Sequence, residues 1–199
     1  MTKVKNKKNG IALFQDMKKC KEKISMITAY DYSMAKCVSA TSIDIILIGD
    51  SLGMVVLGYE DTLQVTVENV IYHCSAVRRG APETFIIADM PYLSYHLSEE
   101  QTRKNAADLI IKGKADDVKL EGGYPSRIDA IKAIVDMEIP VCAHLGLTPQ
   151  SIHKFGGYKV QGKKPEQQEE LLKQALAVEK EGAFMLVLDG IQETLGTEI

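Results

Sequence analysis

The chain has no tryptophan, only four cysteines and only 6% aromatic residues in 199 positions. The cysteines are Cys20, Cys37, Cys74 and Cys142, and no two form a Cys-x-x-Cys pair. That spacing offers neither a zinc cluster nor a redox motif, and it suits reduced thiols in a cytoplasmic protein. No run of 18 apolar residues occurs, so no membrane-spanning helix is expected. The amino terminus is basic but lacks the apolar stretch of a secretory signal. Charge of one sign is also missing: the net formal charge is -3. The only basic cluster is Lys3, Lys5, Lys7 and Lys8, followed by Lys18, Lys19, Lys21 and Lys23. No aromatic residues interleave there to stack on bases, so it reads as a solvated lead-in and not as a nucleic-acid surface. Neither Gly-x-Gly-x-x-Gly nor Gly-x4-Gly-Lys-[Ser/Thr] appears, which removes the usual nucleotide-binding signatures.

What is present is an ordinary globular balance, 45% hydrophobic and 26% charged, enough for one domain with its own core. A single domain over residues 1–199 is expected, with residues 1–22 as lead-in and first helix. Short β-branched runs recur at Ile24–Thr28, Ile45–Gly49, Thr84–Ala88, Val118–Leu120, Val141–Ala143 and Met185–Leu188. They are continuous, as strands buried on both faces are. Helical patterns separate them. Thr66 stands as N-cap before Val67, Val70, Ile71, Cys74 and Val77. Ser98 and Gln101 form a capping-box pattern, and Ile128, Ile131, Ile134 and Val135 mark a further helix. Pro165 opens a helix that should stop at Gly182, with Leu171, Leu172, Ala175 and Leu176 facing inward. Strand and helix alternate six times, which means α/β with a parallel sheet. An open doubly wound sheet and a (β/α)8 barrel of the TIM type both fit that order.

The strand ends favour the barrel. The apolar runs lead into Asp50, Asp89, Glu121, His144 and Asp189. A buried strand needs no ionisable terminus, whereas the carboxyl ends of barrel strands converge on one active-site face. Asp50, Asp89 and Glu121 offer hard carboxylate oxygens to an oxygen-preferring divalent cation, most simply Mg2+. Lys119 lies two residues before Glu121, so both point to one face of their strand. It could bind a substrate carboxylate or enolate, or pair with a neighbouring acid. Ser51 could donate to a carboxylate or serve only the turn. His144 could donate to an enolate or be a satisfied core histidine, and Asp189 is the candidate general base. Tyr30 and Asp31 are less specific. The segment from Phe155 to Gly162 could be a lid or a connector. Together these residue types suit enolisation of a metal-chelated α-keto acid.

Longer stretches carry a more specific likeness. Ile27-Thr28-Ala29-Tyr30-Asp31-Tyr32, Ile48-Gly49-Asp50-Ser51-Leu52-Gly53-Met54, Ala88-Asp89-Met90-Pro91 and Val118-Lys119-Leu120-Glu121-Gly122-Gly123 resemble the ketopantoate hydroxymethyltransferase family. So do Tyr72-His73 with Ala76-Val77-Arg78-Arg79-Gly80-Ala81, the run His144 to Ser151, and Gly156-Gly157-Tyr158-Lys159-Val160-Gln161-Gly162. The resemblance implies a (β/α)8 barrel. The implied reaction moves a hydroxymethyl group from 5,10-methylenetetrahydrofolate to 3-methyl-2-oxobutanoate, giving 2-dehydropantoate. It implies Mg2+ on Asp50, Asp89 and Glu121, keto-acid contacts from Ser51, Asp89 and Lys119, and a cytoplasmic homo-oligomer, usually a decamer. The family's base is a glutamate, and its position falls on Asp189 here. A further departure is the count of strands: six, where a barrel needs eight, so the barrel is expected to be truncated after the sixth. Lys114 and Cys142-Ala143 depart in smaller ways. Two other readings remain: a non-catalytic remnant of the family, and a related Mg2+-dependent barrel lyase or mutase acting on another α-keto acid.

Overall fold

A computed structural model describes residues 10–199. Lys3, Lys5, Lys7 and Lys8 therefore lie outside the described residues, while Lys18, Lys19, Lys21 and Lys23 are exposed, as a solvated segment should be. Six strands form one parallel sheet: β1 (Met26–Thr28), β2 (Ile45–Ile48), β3 (Phe85–Asp89), β4 (Asp117–Glu121), β5 (Val141–Gly146) and β6 (Met185–Asp189). Their spatial order is their sequence order. A doubly wound sheet reverses direction at a switch point, and this one never does. Successive right-handed crossovers in one direction put the connecting helices on one side and curl the sheet as a barrel wall.

The nine helices among the described residues are α1 (Ile11–Lys19), α2 (Tyr32–Ser39), α3 (Leu52–Val55), α4 (Val67–Gly80), α5 (Glu99–Ile111), α6 (Pro125–Val135), α7 (Ile152–Phe155), α8 (Pro165–Lys180) and α9 (Glu193–Glu198). Local chemistry sets their starts. Thr66 accepts from the Asn69 N–H and Asn69 returns the bond, a closed capping box at α4. Ser98 accepts from the Gln101 N–H, but Gln101 does not reciprocate, and its Oε1 is buried without a partner. Asp31 accepts from the Met34 N–H and caps α2, so its role is structural.

The period of two along each strand sorts the side chains. Ile46, Ile48, Ile86, Ala88, Val118, Leu120, Val141, Ala143 and Leu145 join the core shared with the helices. Ile45, Phe85, Ile87 and Cys142 face the other way and pack with Phe14 and Met17 of α1. Phe85 meets Phe14 and Phe184 edge to face, at 5.1 and 6.1 Å between centroids. The same inner parity carries Asp89, paired with Lys119, and Glu121, paired with His144. The inner face is thus apolar at the amino ends of the strands and ionisable at their carboxyl ends.

Three expectations need correction. The strands at the two sides of the sheet are not buried on both faces: all of β1 is exposed, and β6 is half-buried with Asp189 exposed. Each lacks a neighbouring strand on one side. β1 also begins at Met26, not Ile24. On α8, Leu176 is 66% exposed, and the inward stripe is Leu171, Gln174, Ala175 and Val178. Positions spaced i, i+3, i+4, i+7 make one face, and Leu176 falls beside it.

Candidate active site

Asp50, Ser51, Asp89, Lys119, Glu121, His144 and Asp189 all line one cavity of about 350 Å3 at the carboxyl ends of the strands. Side chains from β2 to β6 meet there because each strand ends on the same face. Asp50, Asp89, Lys119, Glu121 and His144 are buried, and Asp189 is exposed at the rim.

Close backbone approach builds the first corner. The Asp50 N–H donates to Asp89 Oδ2 at 2.9 Å. A Cβ on Gly49 would stand 2.9 Å from Ser51 Oγ and 3.3 Å from Asp89 Oδ2, so glycine makes room for this turn. Ser51 Oγ meets Tyr30 Oη at 2.7 Å, and the Tyr30 carbonyl lies 2.7 Å from His73 Nδ1. Tyr30 thus belongs to the margin of the site.

Lys119 Nζ stands 2.5 Å from Asp89 Oδ1 and 3.4 Å from His144 Nδ1. His144 Nδ1 is in turn 3.3 Å from Glu121 Oε1. Of the alternatives for Lys119, pairing with a neighbouring acid is the one seen. His144 is not a satisfied core histidine, because its Nε2 is buried with no partner. A buried polar atom without a partner is costly and points to a missing one.

The electrostatics follow from burial. Asp50 is pushed up to about 8, first by desolvation and then by the Asp89 carboxylate. Asp89 is raised by burial, against the pull of Lys119. Burial works to strip the proton from Lys119, but Asp89, Glu121 and Asp50 outweigh it and hold the ammonium above its ordinary value. Among the described residues no group of three or more His, Cys, Asp or Glu side chains, Asp50, Asp89 and Glu121 included, stands as a preformed metal site. The donor chemistry, hard carboxylate oxygens, is nevertheless of the kind a divalent cation would take. Two raised, mutually repelling aspartates sit beside a third carboxylate, and Gln150 engages only Oδ2 of Asp50.

Two residues at the centre of this arrangement escaped the sequence reading. Gln150 follows β5 in a one-turn 3-10 helix at Pro149–Ser151. Its Nε2 donates to Asp50 Oδ2 at 2.8 Å and to the Met90 carbonyl at 3.0 Å, and its backbone N–H donates to Glu121 Oε2 at 3.0 Å. Tyr95, in the loop after β3, donates to Gln150 Oε1 at 2.6 Å and accepts from the Glu121 N–H at 3.1 Å. Gln150 lies within the family-like run His144 to Ser151 but had no role there, since a polar residue next to Pro149 also marks an ordinary turn.

The segment after α7 is tethered at its far end: the Gln161 N–H donates to the Gly190 carbonyl at 2.7 Å, and Gln161 bridges to Ile191. Tyr158 reaches over to Met54 Sδ, 3.8 Å away. Phe155, Gln161 and Gly162 line a second cavity of about 410 Å3 with Glu166, Glu170 and Gln174 of α8.

Comparison with known proteins agrees with this geometry. The family model described as ketopantoate hydroxymethyltransferase matches residues 8–199. A 3-methyl-2-oxobutanoate hydroxymethyltransferase of Clostridium botulinum (strain Alaska E43 / Type E3) is 56% identical over 182 residues, covering 92% of this chain and 66% of the relative. One of the same name from Geobacter metallireducens is 52% identical over 194 residues, covering 98% and 72%. The chain therefore spans about two thirds of the length of these relatives. Among solved structures, phosphonopyruvate hydrolase superposes with a TM-score of 0.70 at 13% identity, covering 94% of this chain and 64% of that one. A 2,3-dimethylmalate lyase, described as a PEP mutase/isocitrate lyase superfamily member, gives 0.68 at 15%, covering 94% and 64%. At such identities these two show the shared barrel fold alone. The 50–56% identities and the match over nearly the whole sequence show more: the chain belongs to the ketopantoate hydroxymethyltransferase family.

Proposed function

We propose that this chain carries the enolising site of a 3-methyl-2-oxobutanoate hydroxymethyltransferase. The reaction takes the hydroxymethyl group from 5,10-methylenetetrahydrofolate and gives 2-dehydropantoate. The observation that carries this reading is the convergence of Asp50, Asp89, Lys119, Glu121, His144 and Asp189 on one cavity. Relatives that bear the name of this activity support it.

Asp189, at the open rim, accepts the proton from C3 of the keto acid. Lys119 and His144 face the oxygen on which negative charge develops. His144 Nδ1 lies between the Lys119 ammonium at 3.4 Å and Glu121 Oε1 at 3.3 Å, and its Nε2 is the buried atom without a partner. Ser51, Asp50, Asp89 and Lys119 hold the substrate. The nucleophilic C3 then bonds to the one-carbon unit, and water supplies the hydroxyl oxygen as the folate leaves as tetrahydrofolate. Asp50, Asp89 and Glu121 would hold Mg2+, which when bound polarises the keto oxygen as a Lewis acid. A solved phosphonopyruvate hydrolase carries oxalate and Mg++, at 12% identity and a TM-score of 0.68. We place the protein in the cytoplasm as a homo-oligomer. No helix among the described residues is long and apolar enough to cross a membrane, and all four cysteines are free.

An aspartate at 189, where the family resemblance implies a glutamate base, favours a second reading, a chain that keeps the site without turnover. One experiment separates the two. Proton NMR in D2O follows exchange at C3 of 3-methyl-2-oxobutanoate with Mg2+, then with chelator. Metal-dependent exchange that falls in Asp189→Asn supports the enzyme. Absence of exchange from protein shown by circular dichroism to be folded supports the inactive chain.

A further inference from the structure

We propose that Gln150 is a positioning residue of this site, and that Tyr95 fixes the sense in which it works. Gln150 decides which oxygens of Asp50 and Glu121 are engaged by the scaffold and which remain for substrate and cation. The inference rests on the function proposed above.

Two backbone groups of fixed polarity determine the direction of the chain of hydrogen bonds. The Glu121 N–H can only donate, and it meets Tyr95 Oη at 3.1 Å. The hydroxyl hydrogen of Tyr95 is then free for the Gln150 atom 2.6 Å away, which must accept and is therefore Oε1. The Met90 carbonyl can only accept, so the Gln150 atom 3.0 Å from it must be Nε2. Both ends agree on one orientation of the amide. Its second N–H must then go to Asp50 Oδ2, at 2.8 Å, and that oxygen must accept. Independently, the Gln150 backbone N–H takes Glu121 Oε2 at 3.0 Å, which leaves Oε1 beside His144.

One glutamine thus ties the ends of β2, β3 and β4 together. Every polar atom of its side chain is used, although it is buried at 7% exposure, and Tyr95 is buried at 3%. A buried network with all members satisfied specifies a single arrangement. Reactive groups need such fixing, since small errors in placement cost large factors in rate. A residue that only filled space between strands would require neither an amide nor a hydroxyl.

The test uses the 199-residue chain and the variants Tyr95→Phe and Gln150→Met. Tyr95→Phe is the gentler variant: it removes one oxygen and reports on Gln150 even where Gln150→Met fails to fold. In the metal-free protein, 15N-resolved NMR reads the Gln150 side-chain amide and the Asp50 backbone amide. Protection of the Gln150 amide from solvent exchange is expected in the parent and lost in Tyr95→Phe, with a shift of the Asp50 resonance. Mn2+ affinity by electron paramagnetic resonance is expected to weaken about tenfold in each variant, on the order of one hydrogen bond. The double variant should be no weaker than Gln150→Met alone. Unchanged Gln150 protection in Tyr95→Phe, or Mn2+ affinity within twofold of the parent in both variants, would overturn the proposal. A parent that neither binds Mn2+ nor exchanges C3, yet shows the Tyr95-dependent protection, would sink the functional reading and leave the orienting network standing.

Discussion

Replacing Asp50 by asparagine tests whether the site is built at a cost to stability. The side chain keeps an oxygen to accept from Gln150 and loses only its charge. Burial, and then the neighbouring Asp89, raise the Asp50 carboxyl from 3.8 to about 8. A group whose folded value is raised holds its proton more tightly in the native state. Its stabilising contribution is full below the unfolded value and is lost as pH rises through the folded one. His96 runs the other way: burial, then Arg127, lower it from 6.5 to about 4. Its folded form binds fewer protons, so it takes stability away as pH falls below 6.5. The interval from pH 6.5 to 8 therefore isolates the site carboxyls. Asp89 and Asp117 are raised too, so the parent slope contains them, and because Asp50 and Asp89 repel each other the difference from the variant reports the loss of one member of that pair. At about 1.4 kcal/mol per pH unit while the group is still protonated, tapering near 8, the loss across the interval should be on the order of 1–2 kcal/mol. Urea unfolding of both proteins in chelator, at half-unit steps of pH, measures it. The parent should weaken with rising pH and Asp50→Asn should weaken less. Parallel curves would refute the reasoning.

Other consequences follow from single positions. A Cβ on Gly146, whose φ is +94°, would stand 2.2 Å from the Asp189 carbonyl. Gly146→Ala should lose about 2 kcal/mol or more in urea unfolding and depress C3 exchange by displacing the end of β6. Leu109 is wholly buried on α5, so Leu109→Ala should lose about 2–5 kcal/mol, read as a lower urea midpoint at unchanged slope. The His96 imidazole should stay mostly neutral down to about pH 5 in an NMR titration, because burial and then Arg127 lower it to about 4. If reach limits the proton acceptor proposed at Asp189, Asp189→Glu should raise the rate of C3 exchange, and a fall would show that the shorter side chain is the fitted one.

The architecture was legible because it rests on short-range rules. Continuous apolar runs marked the strands, and their ionisable ends marked the face where chemistry gathers. The parity of Lys119 and Glu121 placed both in the cavity. What could not be read depends on partners distant in the chain. Gln150 lies a hundred residues from Asp50 and sixty from Met90, and nothing near Pro149 announces either bond. The exposure of β1 is likewise not a property of Met-Ile-Thr, which is as apolar as an inner strand; it reflects the lack of a neighbour on one side. Leu176 was misplaced for a local reason, since leucines at 172 and 176 suggest a face that Gln174 and Val178 in fact occupy.

The site divides into a satisfied half and an unsatisfied half, and the division separates scaffold from chemistry. Gln150, Tyr95, Met90 and the Glu121 backbone are satisfied by hydrogen bonds among themselves, and Gln150 adds one to Asp50 Oδ2 and one to Glu121 Oε2. Across from them, Asp50 is held far above an ordinary carboxylate, and His144 Nε2 has no partner. A fold optimised for stability alone would not bury three carboxylates around one lysine, since apolar residues of similar size serve as well or better. Their burial makes sense only if something entering the cavity relieves it. A cation would lower Asp50, an oxygen with growing negative charge would give His144 Nε2 a partner, and Lys119, already charged, would serve both without reorganising. Under the proposed function, relief would be greatest for the ligand with the most negative charge beside His144 and Lys119, the enolate rather than the keto acid.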